Sequence, residues 1–185
     1  AKTWNRLSVN QAEIKNLEAD GWQRPAVTVR YPKDEKPVVK ELMAEQESSV
    51  YKKMEQIRTG MGAEVSRLKP EDATDICVET VEEGGESDER RERMRRDEVV
   101  LVLDYPDRKN CFQDVKIYAR AGECVTVWTV VRSKKDAEGK AVLRTLLQAE
   151  ENAKIRLVQV DLLGDRMELF NDIGVESGKQ AQIEV

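Results

Sequence analysis

Apolar and polar residues alternate in the last third of the chain, in a short pattern that occurs three times. The copies begin at Cys124, Ala153 and Ala181, small residues about 28 to 29 positions apart, each preceded by a polar turn with Gly or Asn. The alternating residues that follow are Thr126 and Trp128, Ile155 and Leu157, and Ile183 and Val185. Alternation with period two is typical of a strand buried on one face. Its return at a fixed spacing predicts stacked repeats, and therefore a parallel β-solenoid in which the three small residues are equivalent.

Further strands are predicted across the same region. Residues 139–151 also fit a helical face through Leu143, Leu146 and Leu147, but the phase of the repeat favours a strand. The predicted strands cover residues 99–103, 114–120, 124–132, 141–147, 153–163, 167–170 and 181–185.

The first part of the chain combines helix and strand signals. Ser8 and Gln11 have the spacing of a capping box, which predicts a helix over 9–20 that ends at Gly21. A second helix is predicted over 35–58, with one apolar stripe made of Val39, Met43, Val50, Met54 and Ile57. A short helix at 63–68 and short strands at 26–31 and 76–78 complete this part.

A charged segment separates the two parts. Residues 82–98 contain eight acidic residues and five arginines, with Met94 as the one apolar side chain. Such a segment buries too little apolar surface to offset its ordering entropy, so 84–97 is predicted to be the most mobile internal stretch. The predicted regions are therefore an α+β region at 1–81, a linker at 82–98 and a partial β-helix at 99–185. Because the repeat still continues at Val185, we expect a piece of a longer protein or a unit completed by another chain.

Composition narrows the class of protein. Charged residues make up 36% of the chain and the mean hydropathy is −0.64, and no apolar run approaches the ~18 residues of a membrane span. The first residues lack the apolar stretch of a signal peptide. Three widely spaced cysteines form no CxxC pair, which indicates a reducing cytoplasm rather than a disulfide framework.

The chain has no histidine, which removes several kinds of chemistry. Neither a Ser-His-Asp triad nor a Cys-His dyad can be built, and a histidine-rich metal site is excluded, so we do not expect an enzyme. The net charge of −5 argues against nucleic-acid binding. The arginines at 90–96 are flanked by acids, as in a solvated charged segment.

Three stretches resemble a known family, the short proteins related to SufB and SufD. Residues 2–10 are similar to the opening of these proteins, and Thr59-Gly60-Met61-Gly62-Ala63-Glu64 resembles the glycine-rich stretch after their first helices. Residues 115–119 with 122–128, repeated at 147–160, resemble their β-helix. The resemblance covers most of the chain, with 82–98 as an unmatched insertion.

The resemblance implies a component of an iron–sulfur cluster assembly scaffold with a helical N-terminal region and a right-handed parallel β-helix, here apparently truncated. It also implies two partners, a SufC-type ABC ATPase and a second SufB/SufD-like subunit. The intact protein could hold an iron–sulfur cluster. None is expected on this chain, because the family's ligands lie mostly in a later half and match no position here.

The cysteines are the candidate cluster or metal ligands by chemistry, since thiolates hold iron–sulfur clusters. Cys111 lies beside Asn110 at a predicted turn and is expected to be exposed, so it is the first candidate. Cys124 is the second, although its alignment with Ala153 and Ala181 favours a small buried residue. Cys77 and Trp128 are expected to pack in the core.

Two classes of function follow from the sequence. The first is the scaffold that works with a partner ATPase. The alternative is a cofactor-free structural β-solenoid that serves as an interaction module. In either case the unpaired strand at 181–185 predicts a homo-oligomer formed through that edge.

Overall fold

The structure is a computed structural model, and it describes residues 21–32, 37–43, 49–62, 65, 67–70, 73–80 and 97–185. The described part is mainly β, with one short helix, α1 (Ser49–Met54). The strands before α1 are β1 (Trp22–Gln23), β2 (Ala26–Arg30) and β3 (Val38–Met43). Those after it are β4 (Thr74–Glu79), β5 (Asp97–Asp104), β6 (Asn110–Ala119), β7 (Cys124–Arg132), β8 (Glu138–Ala149), β9 (Lys154–Leu162), β10 (Arg166–Ser177) and β11 (Gln182–Glu184).

The strands form two mixed sheets that are mostly parallel. Sheet A has the order β10-β8-β6-β4-β3, with β1 paired to β6, and sheet B has the order β11-β9-β7-β5-β2. From β4 onward, successive strands alternate between the sheets, and from β6 onward each strand pairs in parallel with the strand two before it. The pairs β2–β5 and β3–β4 are antiparallel. Most described strands were predicted from alternation, and residues 139–151 form a strand rather than the alternative helix.

Strand pairing repeats at an even offset along the sequence. In sheet B, Asp97 of β5 pairs with Val125 of β7, and Cys124 of β7 pairs with Lys154 of β9. In both pairs the partner lies an even number of positions further along the chain, and the offsets between β6, β8 and β10 in sheet A are even as well. Residues paired in register project their side chains to the same face of the sheet, so the inward-facing residues of these strands recur at the same offsets.

This register corrects the predicted equivalence of the three small residues. Cys124 pairs with Lys154, and Lys154 pairs with Gln182, so Ala153 and Ala181 stand level with Glu123 instead. The prediction was wrong by one position, because it aligned the small residues across the turns rather than the strands. A shift of one position moves side chains to the opposite face of a sheet.

The core lies between the two sheets and takes one face of each strand. Val125 and Val127 of β7 point inward with Ile155 and Leu157 of β9, all four at most 3% exposed. Other members of this cluster come from both sheets: Leu101, Leu103, Val115, Ile117, Leu143 and Leu147. Thr126 and Trp128, which the sequence placed with Ile155 and Leu157, lie on the other face of sheet B.

A second layer covers the outer face of sheet A. It consists of residues 49–62, 65 and 67–70, which we call the cap. Tyr51 and Met54 of the cap pack with Cys77, Tyr118 and Leu146. Further along the same face, a second apolar cluster contains Val65, Leu68, Trp22, Phe112 and Val142. The cap approaches β10 so closely that a Cβ on Gly174 would lie 2.9 Å from Ile57 Cγ2 and 2.8 Å from Thr59 Cγ2.

The predicted helix over 35–58 is wrong for most of its described length. Residues 38–43 form β3, antiparallel to β4, and α1 spans only Ser49–Met54. Val39, which the prediction placed on a helical stripe, pairs with Val78 and packs against the inter-sheet core. The β-branched pair Val38-Val39 suits a strand, and pairing with β4 outweighs the helical spacing.

Several predictions concern residues outside the described part of the chain. The helix at 9–20 and residues 82–96 of the predicted linker lie there, while β5 already begins at Asp97. Of the predicted helix at 63–68, only residues 65, 67 and 68 are described. The described portion includes no helix with the length and apolar character needed to cross a membrane.

Candidate functional site

A row of charged side chains crosses sheet A beneath the cap. Arg144 of β8 pairs in register with Asp114 of β6 on one side and with Asp172 of β10 on the other. Asp75 of β4 continues the row, since the next residue, Ile76, pairs with Val115. All four side chains are buried, with exposures between 1% and 5%. They occupy the outer positions of strands whose alternate residues, such as Val115, fill the inter-sheet core.

The cap completes a cluster of opposite charges. Arg144 donates from Nε and Nη2 to Asp114 at 2.6 and 2.5 Å, and from Nη2 to Glu55 Oε2 of the cap at 2.9 Å. Lys116 Nζ lies 2.6 Å from Asp75 Oδ2 and 2.8 Å from Glu55 Oε1. We call Glu55, Lys69, Asp75, Asp114, Lys116 and Arg144 the ion cluster.

Lys69 brings the second charge from the cap. Its Nζ lies 2.7 Å from Asp75 Oδ1 and 3.3 Å from Asp114 Oδ2, with Glu55 at 3.8 Å. The ion cluster therefore contains three acids and three bases, and each base lies between two or more of the acids. The paired charges cancel, as burial of ions requires.

Asp172 joins the row without joining the ion pairs described above. Its Oδ1 accepts a hydrogen bond from the backbone N–H of Met61 at 3.0 Å, which ties the cap to β10. Its Oδ2 is buried and has no hydrogen-bond partner among the described residues.

The electrostatics of the ion cluster follow from burial and from the neighbouring charges. Burial alone would raise the pKa of Glu55, but Arg144, Lys116 and Lys69 outweigh it and hold the pKa below its ordinary value. Burial would lower the pKa of Lys69, yet Asp114, Asp75 and Glu55 raise it above the usual range. For Asp114 burial dominates and raises the pKa, despite the hydrogen bonds from Arg144.

The shifted pKa of Glu55 predicts how the cluster responds to acid. A carboxyl with a lowered pKa stabilises the folded protein fully above its ordinary value of 4.5, and this stabilisation is lost as the pH falls through the folded pKa. We therefore expect the difference in unfolding free energy between the wild type and Glu55→Gln to be constant from about pH 6 to 9. Below pH 4.5 this free-energy difference should shrink, because protonation of Glu55 removes its ion pairs.

Urea unfolding at a series of pH values measures this difference. The comparison with Glu55→Gln isolates the part of the pH dependence that requires the Glu55 carboxylate. Asp114 acts in the opposite sense, because its raised pKa favours the folded protein as the pH falls toward 3.8. If this free-energy difference grows below pH 4.5, the neighbouring cations do not hold the pKa of Glu55 below its ordinary value.

Three carboxylates of the ion cluster have the spacing of a cation site. One oxygen each from Glu55, Asp75 and Asp114 lie within 4.8 Å of one another. The ammonium groups of Lys69 and Lys116 already lie 2.6 to 2.7 Å from the two oxygens of Asp75, so the acids have cationic partners within the chain. The arrangement is that of a salt-bridge cluster that fixes the cap on the sheet.

The prediction that Cys111 is exposed is wrong. Strand β6 already begins at Asn110, so Cys111 belongs to the strand rather than to a turn, and its side chain is buried in the inter-sheet core. Burial raises the pKa of its thiol to about 11, against a smaller opposing effect of Lys109. At neutral pH the thiolate that would bind a metal is therefore scarce.

The other cysteines occupy different surroundings. Cys124 is half-buried at the start of β7, and it does not fill the small buried position predicted for it. Cys77 is fully buried, as predicted, and packs under the cap with Tyr51 and Met54. Because Cys111 and Cys77 face opposite sides of sheet A, the fold does not bring the cysteines together as one set of ligands.

Trp128 also differs from its prediction. It is half-buried on the outer face of sheet B, where its Nε1 donates to Glu98 Oε1 at 2.6 Å. The core positions of β7 belong to its neighbours Val127 and Thr129.

Sequence reasoning missed the ion cluster, although a signal for it exists. Asp114, Arg144 and Asp172 follow one another at the same even offsets as the strands that carry them, with alternating sign. Opposite charges directly across neighbouring strands stabilise a sheet. A search for charges at the strand offset would have found three of the buried residues.

Comparisons with known proteins leave the family open. Neither a protein-family model, nor a curated protein, nor a solved structure matches this chain.

Proposed function

We propose that this chain is a scaffold subunit of the SufB/SufD kind, which acts in iron–sulfur cluster assembly by holding protein partners. In this proposal the two sheets are part of a right-handed parallel β-helix, and the chain does not ligate a cluster through its own cysteines. The observation that carries the proposal is the alternation of parallel strands between two sheets at even and nearly constant offsets in sequence.

The strand pairing supports a surface for partner subunits. β10 pairs with β8 along all of Arg166–Ser177, and β11 pairs with β9 through Gln182–Glu184. Within the described residues these are the outermost strands of their sheets. The outer backbone groups of such strands are able to pair with another chain, so the same edges suit a second SufB/SufD-like subunit or a second copy.

The positions of the cysteines support the part of the proposal that this chain does not ligate a cluster through its own thiolates. An iron–sulfur cluster needs several thiolates converging on one point. Cys111 lies between the sheets and Cys77 beneath the cap, and both side chains are 0% exposed. Cluster ligands in the assembled scaffold would then come from other chains or other segments, with a SufC-type ATPase as the second partner.

Co-purification with a SufC-type ATPase tests the proposal. We expect the ATPase to be retained equally by the wild type and by a variant with Cys77→Ala, Cys111→Ala and Cys124→Ser. Anaerobic reconstitution with iron and sulfide should give the same visible absorbance for both proteins in complex. If the wild type does not retain the ATPase, the scaffold role is rejected. If the visible absorbance disappears in the triple variant, the assignment of cluster ligands to other chains or segments is rejected.

The alternative function is a cofactor-free interaction module, and the buried cysteines favour it equally. The two functions differ in whether the ATPase binds. Self-association of the purified chain without binding of the ATPase would identify the alternative.

Self-association gives a further prediction for the 185-residue chain. We expect sedimentation to show a dimer or larger species, because β11 is the outermost described strand at its end of sheet B, where it pairs with β9. Ile183→Pro should dissolve this species. Val29→Pro is the matched control in β2, the outermost described strand at the other end of sheet B. A stable monomer with hydrogen-exchange protection across β11 would contradict the prediction.

A further inference from the structure

We propose that the cap is a cover that opens and closes on sheet A as a separate unit, and that Glu55 is the side chain that holds it closed. This inference concerns the outer face of sheet A and does not depend on the proposed function.

The cap is attached differently from the strands. Each strand of sheet A is held by backbone hydrogen bonds along its length, whereas the described hydrogen bonds between the cap and the sheet run through side chains. The cap's helix, α1, has six residues, far fewer than an isolated helix needs to be stable. Segments held by side-chain contacts open at lower free energy than the paired core of a domain.

The ion cluster lowers the cost of opening. Opening an apolar interface exposes hydrocarbon to water, which is unfavourable. This cost favours the closed position for the buried apolar side chains of the cap, which are Tyr51, Met54, Val65 and Leu68. When the ion cluster opens, water solvates six charges, so much of the lost ion pairing is recovered as hydration. Glu55 already keeps 30% of its side chain exposed, so water has access to the rim of the cluster.

Glu55 is the carboxylate that the cap contributes to the ion cluster. It contacts both Arg144, at 2.9 Å, and Lys116, at 2.8 Å. Without this carboxylate, closing the cap buries the two cations with one anionic partner fewer, which shifts the equilibrium toward the open state.

Two cysteines report separately on the cap and on the core. Cys77 lies on the cap side of β4 in contact with Tyr51 and Met54, and opening the cap uncovers it. Cys111 lies on the inter-sheet side of β6, and only separation of the two sheets uncovers it. Both are 0% exposed in the closed protein, so labelling of either requires an opening event.

Site-resolved thiol labelling of the full chain, read by peptide mass, tests the proposal. Each rate is divided by the rate for the same cysteine in the urea-unfolded chain, which removes differences in thiol pKa. We expect Cys77 to be labelled at least tenfold faster than Cys111. Glu55→Gln destabilises the closed protein relative to both the cap-open and the unfolded state, so it should raise the rates at Cys77 and at Cys111 by the same factor of at least ten.

Leu147→Ala weakens the inter-sheet core, which stays folded when the cap opens, so it should raise the rate at Cys111 and leave the rate at Cys77 unchanged. Glu41→Gln, which removes an exposed carboxylate paired with Arg24, is the control and should change neither rate.

Hydrogen exchange gives a second measurement that does not depend on thiol chemistry. In the wild type, amides of residues 49–62 should be less protected than those of β6, and Leu147→Ala should lower protection in β6 without lowering it in residues 49–62. Equal rates at Cys77 and Cys111 in the wild type, or equal changes at the two cysteines in Leu147→Ala, would show that the cap unfolds only with the whole domain. Either result, or the absence of any effect of Glu55→Gln, overturns the proposal.

Discussion

Arg144→Met is expected to destabilise the closed native protein by about 3 to 5 kcal/mol, the usual cost of removing one partner from a buried ion pair. Arg144 donates to Asp114 and Glu55, and its side chain is 6% exposed. Methionine keeps the volume but leaves Asp114 buried without its principal partner. Urea unfolding measures this decrease in stability. If the cap can open before the domain unfolds, the decrease cannot exceed the free energy of cap closure, because the variant then adopts the cap-open state.

The matched control is Arg132→Met. Arg132 also pairs with an aspartate on the neighbouring strand, Asp104, through two hydrogen bonds, but its side chain is 48% exposed. Exposed pairs contribute little because water and salt screen them. Equal losses in the two variants would mean that water reaches the ion cluster as freely as it reaches the surface pair.

Leu147→Ala is expected to lower the free energy of unfolding by about 2 to 5 kcal/mol, the range for a leucine removed from a packed core. Leu147 is fully buried between the sheets, in register with Ile117 on β6 and Val175 on β10. The cavity cannot collapse easily, because the pairing of β6 and β10 with β8 holds Ile117 and Val175 in place.

Val175→Ala provides the control within the same cross-strand row. Val175 is 48% exposed, so its truncation should change stability by less than about 0.5 kcal/mol. Thermal or urea unfolding of both variants gives the comparison. A loss at Val175 as large as that at Leu147 would place the outermost strand in the core.

Much of the strand content could be predicted because each strand has one face in the core. In β7, Val125 and Val127 alternate with polar or half-buried neighbours, and that period appears in the sequence without knowledge of any partner. Which residue stands beside which could not be predicted in the same way. The pairing of Cys124 with Lys154 depends on turn length, and the turns contain no signal of comparable strength.

The first part of the chain was predicted less well, for a related reason. Val39 and Val50 fit a helical stripe, but Val39 belongs to a strand because β4 offers it a partner. Local spacing is a weak guide when tertiary pairing competes with it. The ion cluster depends even more on distant partners, since Glu55 meets Arg144 across 89 positions of sequence.

The neutrality of the ion cluster has a consequence for ionic strength. Three acids and three bases beneath a cover present almost no net charge to the solvent, and dissolved ions screen buried pairs much less than exposed ones. The Arg132–Asp104 pair on the surface should weaken as salt is added, while the contacts of Glu55, Arg144 and Lys116 should persist. We therefore expect the closed cap to lie in the same position in dilute buffer and in concentrated salt. The salt response of its closure should then be set by the apolar clusters that pack the cap on sheet A beside the ion cluster.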